Sequence, residues 1–167
     1  RGIYSIDATY TVASVVCGGA TPCDEEYGHF TGLYRGIQAE NANYRPRDIV
    51  VSDIIFTNNY RGILLSNVDN SLVISNSFSV PDISEPSNNA YGIYFEDCSG
   101  YHVENNSFTT YGSYDDASPY NAGMYVVNNS NAQTEVYRNT FSDLEAGIRV
   151  QTNNSKLQIK CNTFSDV

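Results

Sequence analysis

The chain has 167 residues, 41% of them hydrophobic, enough for one domain with a substantial core and too apolar for disorder. Its 19 acidic against 9 basic residues give a net charge of −10, which opposes the attraction that nucleic acid or an anionic membrane surface would need. No apolar run is long enough to cross a bilayer and the N-terminus carries no signal-peptide pattern, so no membrane insertion is expected.

In chain order, the sequence is a series of imperfect copies of one unit, clearest from Glu135 to Val150. Its skeleton is an aliphatic residue, then Thr or Ser followed by Phe, then Gly and an aliphatic residue. The copies open at Gly2-Ile3. A first insertion, Gly18 to Gly28, follows, in which Cys17 and Cys23 enclose Gly-Gly-Ala-Thr-Pro; a turn there leaves a local disulfide open. The units then run Phe30 to Gly36-Ile37, Phe56 to Gly62-Ile63, Phe78 to Gly92-Ile93, Phe108 to Gly123-Met124, Phe141 to Gly147-Ile148, and end at Phe164. Three of the Phe-to-Gly steps are six residues long, whereas those after Phe78 and Phe108 take 14 and 15. The extra text, Pro81 to Asn89 and Gly112 to Pro119, is made of turn formers and acids and predicts two loops at one corner of adjacent repeats.

Within each unit the hydrophobic period is two, as in Gly92-Ile93-Tyr94-Phe95-Glu96, which predicts short strands. A second strand precedes each Asn-Ser-Phe element, as in Leu72 to Ser75 and Tyr101 to Glu104, and a third starts at the Phe. Three short strands per repeat, joined by bends too short for a crossover helix, predict a coil whose turns stack at about 4.8 Å. The six Phe residues, the residues after the glycines, and Val51, Val73, Val103, Val136 and Ile159 should then form inward ladders. Asn76, Asn106, Asn139 and Asn162 should form another, because Asn tolerates left-handed backbone and its amide can bond its neighbour in the stack; Ile54 breaks that register. Cys98 and Cys161 fall at different repeat positions, which argues against a bond between them.

The elements Asn76-Ser77-Phe78, Asn106-Ser107-Phe108, Asn139-Thr140-Phe141 and Asn162-Thr163-Phe164, with the Gly-Ile steps, resemble the right-handed parallel β-helix repeats of secreted and periplasmic proteins, a group that includes pectate-lyase-like enzymes, alginate epimerases and NosD-like proteins. The resemblance implies an all-β solenoid of about six coils with three strands each, spanning residues 1–167 as one domain, in a secreted, cell-surface or periplasmic setting. It says almost nothing about activity, since one coil serves enzymes, adhesins and spacers. Because Gly2 and Val167 both lie inside the repeat pattern, further coils or domains of the same protein are expected beyond this segment.

Outward columns on the Gly-Ile strands are the natural binding surface. Two residues after the glycines come Tyr4, Gln38, Leu64, Tyr94, Tyr125 and Arg149; Tyr94 and Tyr125, with Arg149 beside them, suit the faces of sugar rings. Four after the glycines come Ile6, Glu40, Ser66, Glu96, Val127 and Gln151. Glu40 and Glu96 would stand two rungs apart, about 9.6 Å by strand spacing, near the upper limit for an inverting carboxylate pair. The tyrosines also suit strands for packing alone, and the acids suit any solvated face. Arg149 is expected to lack acidic neighbours at its own height. Asp24-Glu25-Glu26 and Asp115-Asp116 offer hard oxygen ligands of the kind calcium takes, but a solvated acidic loop is the preferred reading and no cofactor is assigned. His29 and His102 differ in repeat position and share no metal-ligand spacing with a cysteine. Three sequons, at Asn105, Asn128 and Asn153, read as bends. The expected function is a non-catalytic scaffold that binds carbohydrate or mediates adhesion through Tyr94, Tyr125, Arg149 and Glu96. The alternative is a polysaccharide lyase, epimerase or hydrolase using the same face.

Overall fold

The computed structural model describes residues 1–14, 27–43, 45–83, 89–112, 121–128 and 132–167. The chain winds through six coils of three strands. They are β1 (Ile3–Ile6), β2 (Tyr10–Ala13) and β3 (Gly28–Thr31); β4 (Arg35–Glu40), β5 (Ile49–Ser52) and β6 (Ile54–Thr57); β7 (Arg61–Ser66), β8 (Leu72–Ile74) and β9 (Ser77–Pro81). The last three coils are β10 (Ala90–Glu96), β11 (His102–Glu104) and β12 (Ser107–Tyr111); β13 (Asn121–Val127), β14 (Thr134–Tyr137) and β15 (Thr140–Ser142); β16 (Ala146–Gln151), β17 (Leu157–Lys160) and β18 (Thr163–Ser165). Equivalent strands of successive coils pair in parallel, giving three six-stranded sheets, β1-β4-β7-β10-β13-β16, β2-β5-β8-β11-β14-β17 and β3-β6-β9-β12-β15-β18. Among the described residues no helix is long and apolar enough to cross a membrane.

Registers follow the repeat ladders. Phe30, Phe56, Phe78, Phe108, Phe141 and Phe164 pair in sequence along the third sheet. Their rings stack nearly parallel, with centroids between 4.7 and 5.2 Å apart. Val12, Val51, Val73, Val103, Val136 and Ile159 form the second ladder, and Ile3, Ile37, Ile63, Ile93, Met124 and Ile148 the third. The middle members of all three are fully buried, so the core is a continuous apolar rod. The glycines before the Ile ladder are required by close approach. A Cβ on Gly36, Gly62 or Gly92 would stand 2.6 or 2.7 Å from the carbonyl oxygen of the equivalent glycine in the next coil, and 2.8 to 3.1 Å from a core Phe ring.

The corners correct one expectation. Asn76, Asn106, Asn139 and Asn162 do form a stacked amide ladder, each Nδ2 of the first three donating to the Oδ1 of the next coil's Asn at 2.9 to 3.0 Å. They are not the left-handed residues, however. That conformation falls one position earlier, on Ser75, Asn105, Arg138 and Cys161, with φ between 54° and 57°. The corner bends at the residue before and leaves the Asn free to bond along the axis. The same single-residue bend recurs between the first and second sheets at Asp7, Asn67, Asp97, Asn128 and Thr152.

Ile54 interrupts the amide ladder as expected, and its N–H donates to Asn76 Oδ1 at 3.0 Å. The amide missing from position 54 would have met the Gly28 N–H. That N–H donates instead to Ser14 Oγ at 2.7 Å, and the Ser14 hydroxyl in turn donates to the Asp53 carbonyl.

The two insertions after Phe78 and Phe108 leave from the same corner of adjacent coils, since β9 pairs with β12 and β10 with β13. The insertion between β2 and β3 lies at another corner. Cys17, Cys23, Asp24-Glu25-Glu26 and Asp115-Asp116 all fall outside the described residues. Cys98 and Cys161 are free thiols, one buried and one exposed. Burial pushes the Cys98 thiol up to about 12.

Candidate functional site

The outer face of the first sheet carries the predicted columns in register. Tyr4, Gln38, Leu64, Tyr94, Tyr125 and Arg149 form one, and Ile6, Glu40, Ser66, Glu96, Val127 and Gln151 the other. Period-two strands in a parallel stack make such columns unavoidable, because every outward residue has its equivalent directly above and below.

Tyr94 and Tyr125 meet edge to face, with ring centroids 5.4 Å apart. Tyr91, one residue before its glycine, joins them: its ring is 5.7 Å from that of Tyr94 and 5.1 Å from that of Tyr125. Tyr91 is buried while Tyr94 and Tyr125 are partly exposed, so Tyr91 acts as the floor on which the other two stand. Burial raises the Tyr91 and Tyr94 hydroxyls above the usual 10.0, the Glu96 carboxylate adding to the effect at Tyr94, and both remain neutral donors at ordinary pH. Tyr125 donates its hydroxyl to Gln151 Oε1 on the next rung.

Arg149 is not without an acidic neighbour. Its guanidinium pairs with Glu145, four residues earlier at the corner leading into β16. An acid on a bend has no equivalent strand position, so a comparison of strand columns does not find it. Glu40 and Glu96 stand two rungs apart with Ser66 between them. Glu40 accepts from Gln38 Nε2, and Gln38 Oε1 accepts from Arg35 Nη1 at 2.6 Å.

A further column escapes the sequence reading altogether. Arg35, Arg61, Tyr91, Ala122 and Ala146, each directly before a glycine, are in register. The Arg61 guanidinium lies 5.8 Å from the Tyr94 ring and 6.0 Å from that of Tyr34, and the Arg35 guanidinium 5.4 Å from Tyr34. Tyr34 stacks on Tyr60 at 5.1 Å. The Arg-Gly pairs Arg1-Gly2, Arg35-Gly36 and Arg61-Gly62 are the signal that could have found it.

Elsewhere, His102 Nδ1 lies 3.5 Å from Glu135, which also pairs with Lys160 at 3.0 Å, all three on the second sheet. His29 is on the third sheet, so the two histidines do not converge. Among the described residues no three His, Cys, Asp or Glu side chains gather at a metal-sized site.

Three parallel sheets wound around stacked Phe, Val and Ile ladders define the class, a parallel β-helix. The model of the right-handed β-helix region matches residues 29–164, and the chain belongs to that family. No curated protein and no solved structure matches the chain at a significant level.

Proposed function

We propose that the chain is a non-catalytic module of a secreted or cell-surface protein, a rigid scaffold that binds carbohydrate on the outer face of its first sheet. The observation that carries this reading is the aromatic cluster of Tyr91, Tyr94 and Tyr125, with ring centroids 5.1 to 5.7 Å apart, partly exposed on a surface made rigid by the stack beneath it. Neutral phenols that show both an apolar face and a hydroxyl match the alternating faces and hydroxyls of sugar rings, and a pre-formed surface spends little entropy on binding.

Retention on an array of immobilised glycans tests it. Tyr94→Ala with Tyr125→Ala removes two rings worth about 1 kcal/mol each beyond buried area, so affinity should fall at least ~10-fold. Retention that is unchanged on every bound glycan would refute the reading. The same face supports a second reading, a polysaccharide-active enzyme, through Glu40 and Glu96 in one column. Release of product from a polysaccharide panel, lost in Glu40→Gln or Glu96→Gln, would decide for that alternative.

A further inference from the structure

The outer face of the third sheet lies away from the tyrosine cluster and carries a different chemistry. The residue after each ladder Phe is Ser or Thr in all six coils, and the residue before it is Ser or Thr in the last four, from Ser77-Phe78-Ser79 to Thr163-Phe164-Ser165. Period-two alternation turns both away from the core that the Phe ladder fills. His29 and Ile55 take the two remaining positions, so no Asp, Glu, Lys or Arg stands in either column of a chain of net charge −10. Inside the protein these hydroxyls are almost unused: among the described residues their one side-chain hydrogen bond runs from Ser107 Oγ to Ser77 Oγ at 3.3 Å. The face is also flat. Adjacent strands ordinarily rotate by about 20–25°, whereas the Phe rings beneath these columns turn by only 4° to 9° per coil, with centroids 4.7 to 5.2 Å apart. Near-pure translation converts the two columns into a plane lattice of hydroxyls. One repeat is that coil spacing, and the other is about 6.6 Å, two residues along a strand.

We propose that this face binds ice. A rigid lattice is complementary to a ligand that is itself a flat lattice, the face of a crystal, because a small molecule would engage only one or two of its points. The chemistry of the columns selects the crystal. An ionic mineral needs charged or hard oxygen ligands such as carboxylates, which the columns lack. A crystalline polysaccharide offers sugar faces that pair with aromatic rings, and the columns hold no ring besides the His29 imidazole. In ice every surface water both donates and accepts, as a Ser or Thr hydroxyl does. The two repeats of the hydroxyl lattice also lie close to those of the water lattice on a prism face of ice. Hydroxyls fixed by the stack beneath them lose little entropy in joining that lattice. The breaks at His29 and Ile55 confine the complete array to the last four coils, Ser77 to Ser165.

Slow freezing of a dilute solution of the chain tests this directly, because a growing ice front rejects ordinary solutes and takes up a protein that adsorbs to it. The wild-type chain is expected to be enriched in the ice and to slow the recrystallisation of polycrystalline ice. Thr109→Lys with Thr140→Lys sets two hydrated cations in the centre of the face. By removing two hydroxyl contacts it should lower the enrichment at least ~10-fold. Thr11→Lys with Gln158→Lys, the same change in charge placed in one outward column of the second sheet, should leave the enrichment unaltered. If the first pair fails to fold by far-ultraviolet dichroism, Thr109→Ile with Thr140→Ile removes the same hydroxyls with neutral, β-branched side chains and should also weaken the enrichment. Exclusion of the wild-type chain from ice, unchanged enrichment in the face variants, or an equal loss in the second-sheet control would overturn the proposal. Retention on crystalline cellulose or chitin that depends on Thr109 and Thr140, without enrichment in ice, would overturn it as well and assign the face to a polysaccharide crystal.

Discussion

Asn106→Ala tests whether the buried amide ladder is structural or incidental. Asn106 Oδ1 accepts from the backbone N–H of Asn76 at 2.8 Å and from its Nδ2 at 3.0 Å. Its own Nδ2 reaches the Val73 carbonyl at 2.9 Å, the Glu104 carbonyl at 3.0 Å and Asn139 Oδ1 at 2.9 Å. Several of these partners keep a second bond: Asn76 Nδ2 keeps the Val51 carbonyl, the Glu104 carbonyl keeps the Ser75 N–H, and Asn139 Oδ1 keeps the Asn106 N–H. The N–H of Asn76, a residue only 2% exposed, is left without an acceptor. Orphaning that donor costs about 1–3 kcal/mol; the two hydrogens of the Asn106 amide make at most two full bonds, worth about 1 kcal/mol net apiece, so a total of about 3–5 kcal/mol is expected. A domain of this size is stable by about 5–15 kcal/mol, so the variant should fold but unfold at a distinctly lower urea concentration, with an unchanged m-value. A destabilisation under about 1 kcal/mol would show that water replaces the amide and that the ladder decorates the stack without supporting it.

Gly92→Ala should be similarly harmful for a steric reason, because its methyl would fall 2.7 Å from the Gly123 carbonyl oxygen and 2.8 Å from the Phe108 ring. Overpacking of this kind costs about 1–3 kcal/mol, readable as a lowered thermal midpoint, and an unchanged midpoint would refute the close-approach account. The thiols should divide cleanly under a disulfide reagent: Cys161 reacts in the native state, while Cys98 reacts only on unfolding. Cys98 also gives the stability a pH dependence. Its folded value of about 12 lies above the ordinary 9.0, so its contribution is complete below pH 9 and is lost as pH rises toward 12; in Cys98→Ala the alkaline decline should be shallower.

How much of the molecule is legible in its sequence follows from which residues repeat. Ladder positions can be read because a stack puts equivalent residues into one environment six times over, so Phe and Gly recur there and the aliphatic positions vary only to a side chain of similar volume, as Met124 does among the isoleucines and Ile159 among the valines. The left-handed bends are hidden because the residues that adopt them, Ser75, Asn105, Arg138 and Cys161, share no chemistry: the corner asks only for tolerance of positive φ, and four different side chains meet that demand. Glu145 escapes the pairing with Arg149 because a bend residue has no partner in the strand alignment. The arginine column is obscured for the opposite reason. Arg35 and Arg61 do repeat, but Tyr91 and the two alanines succeed them in the same register, so the column changes chemistry halfway along and no single motif describes it.

Ser14 shows why such departures carry information. Where Ile54 removes an amide from the ladder, a hydroxyl 39 residues before Asp53 takes its place, accepting from Gly28 and donating to the Asp53 carbonyl. The repair satisfies the backbone group without restoring the motif, which is the outcome expected if the constraint is the unpaired donor and not the sequence pattern. This break in the stack is therefore compensated at the same site. The arginine column is a break of the other kind: the change from Arg to Tyr to Ala on the outer face is not forced by the ladders beneath it. The position is itself packed further along the axis, where Tyr91 is 5% and Ala122 0% exposed, so the column passes from partly exposed guanidiniums to buried side chains while the Phe, Val and Ile ladders beneath it stay the same.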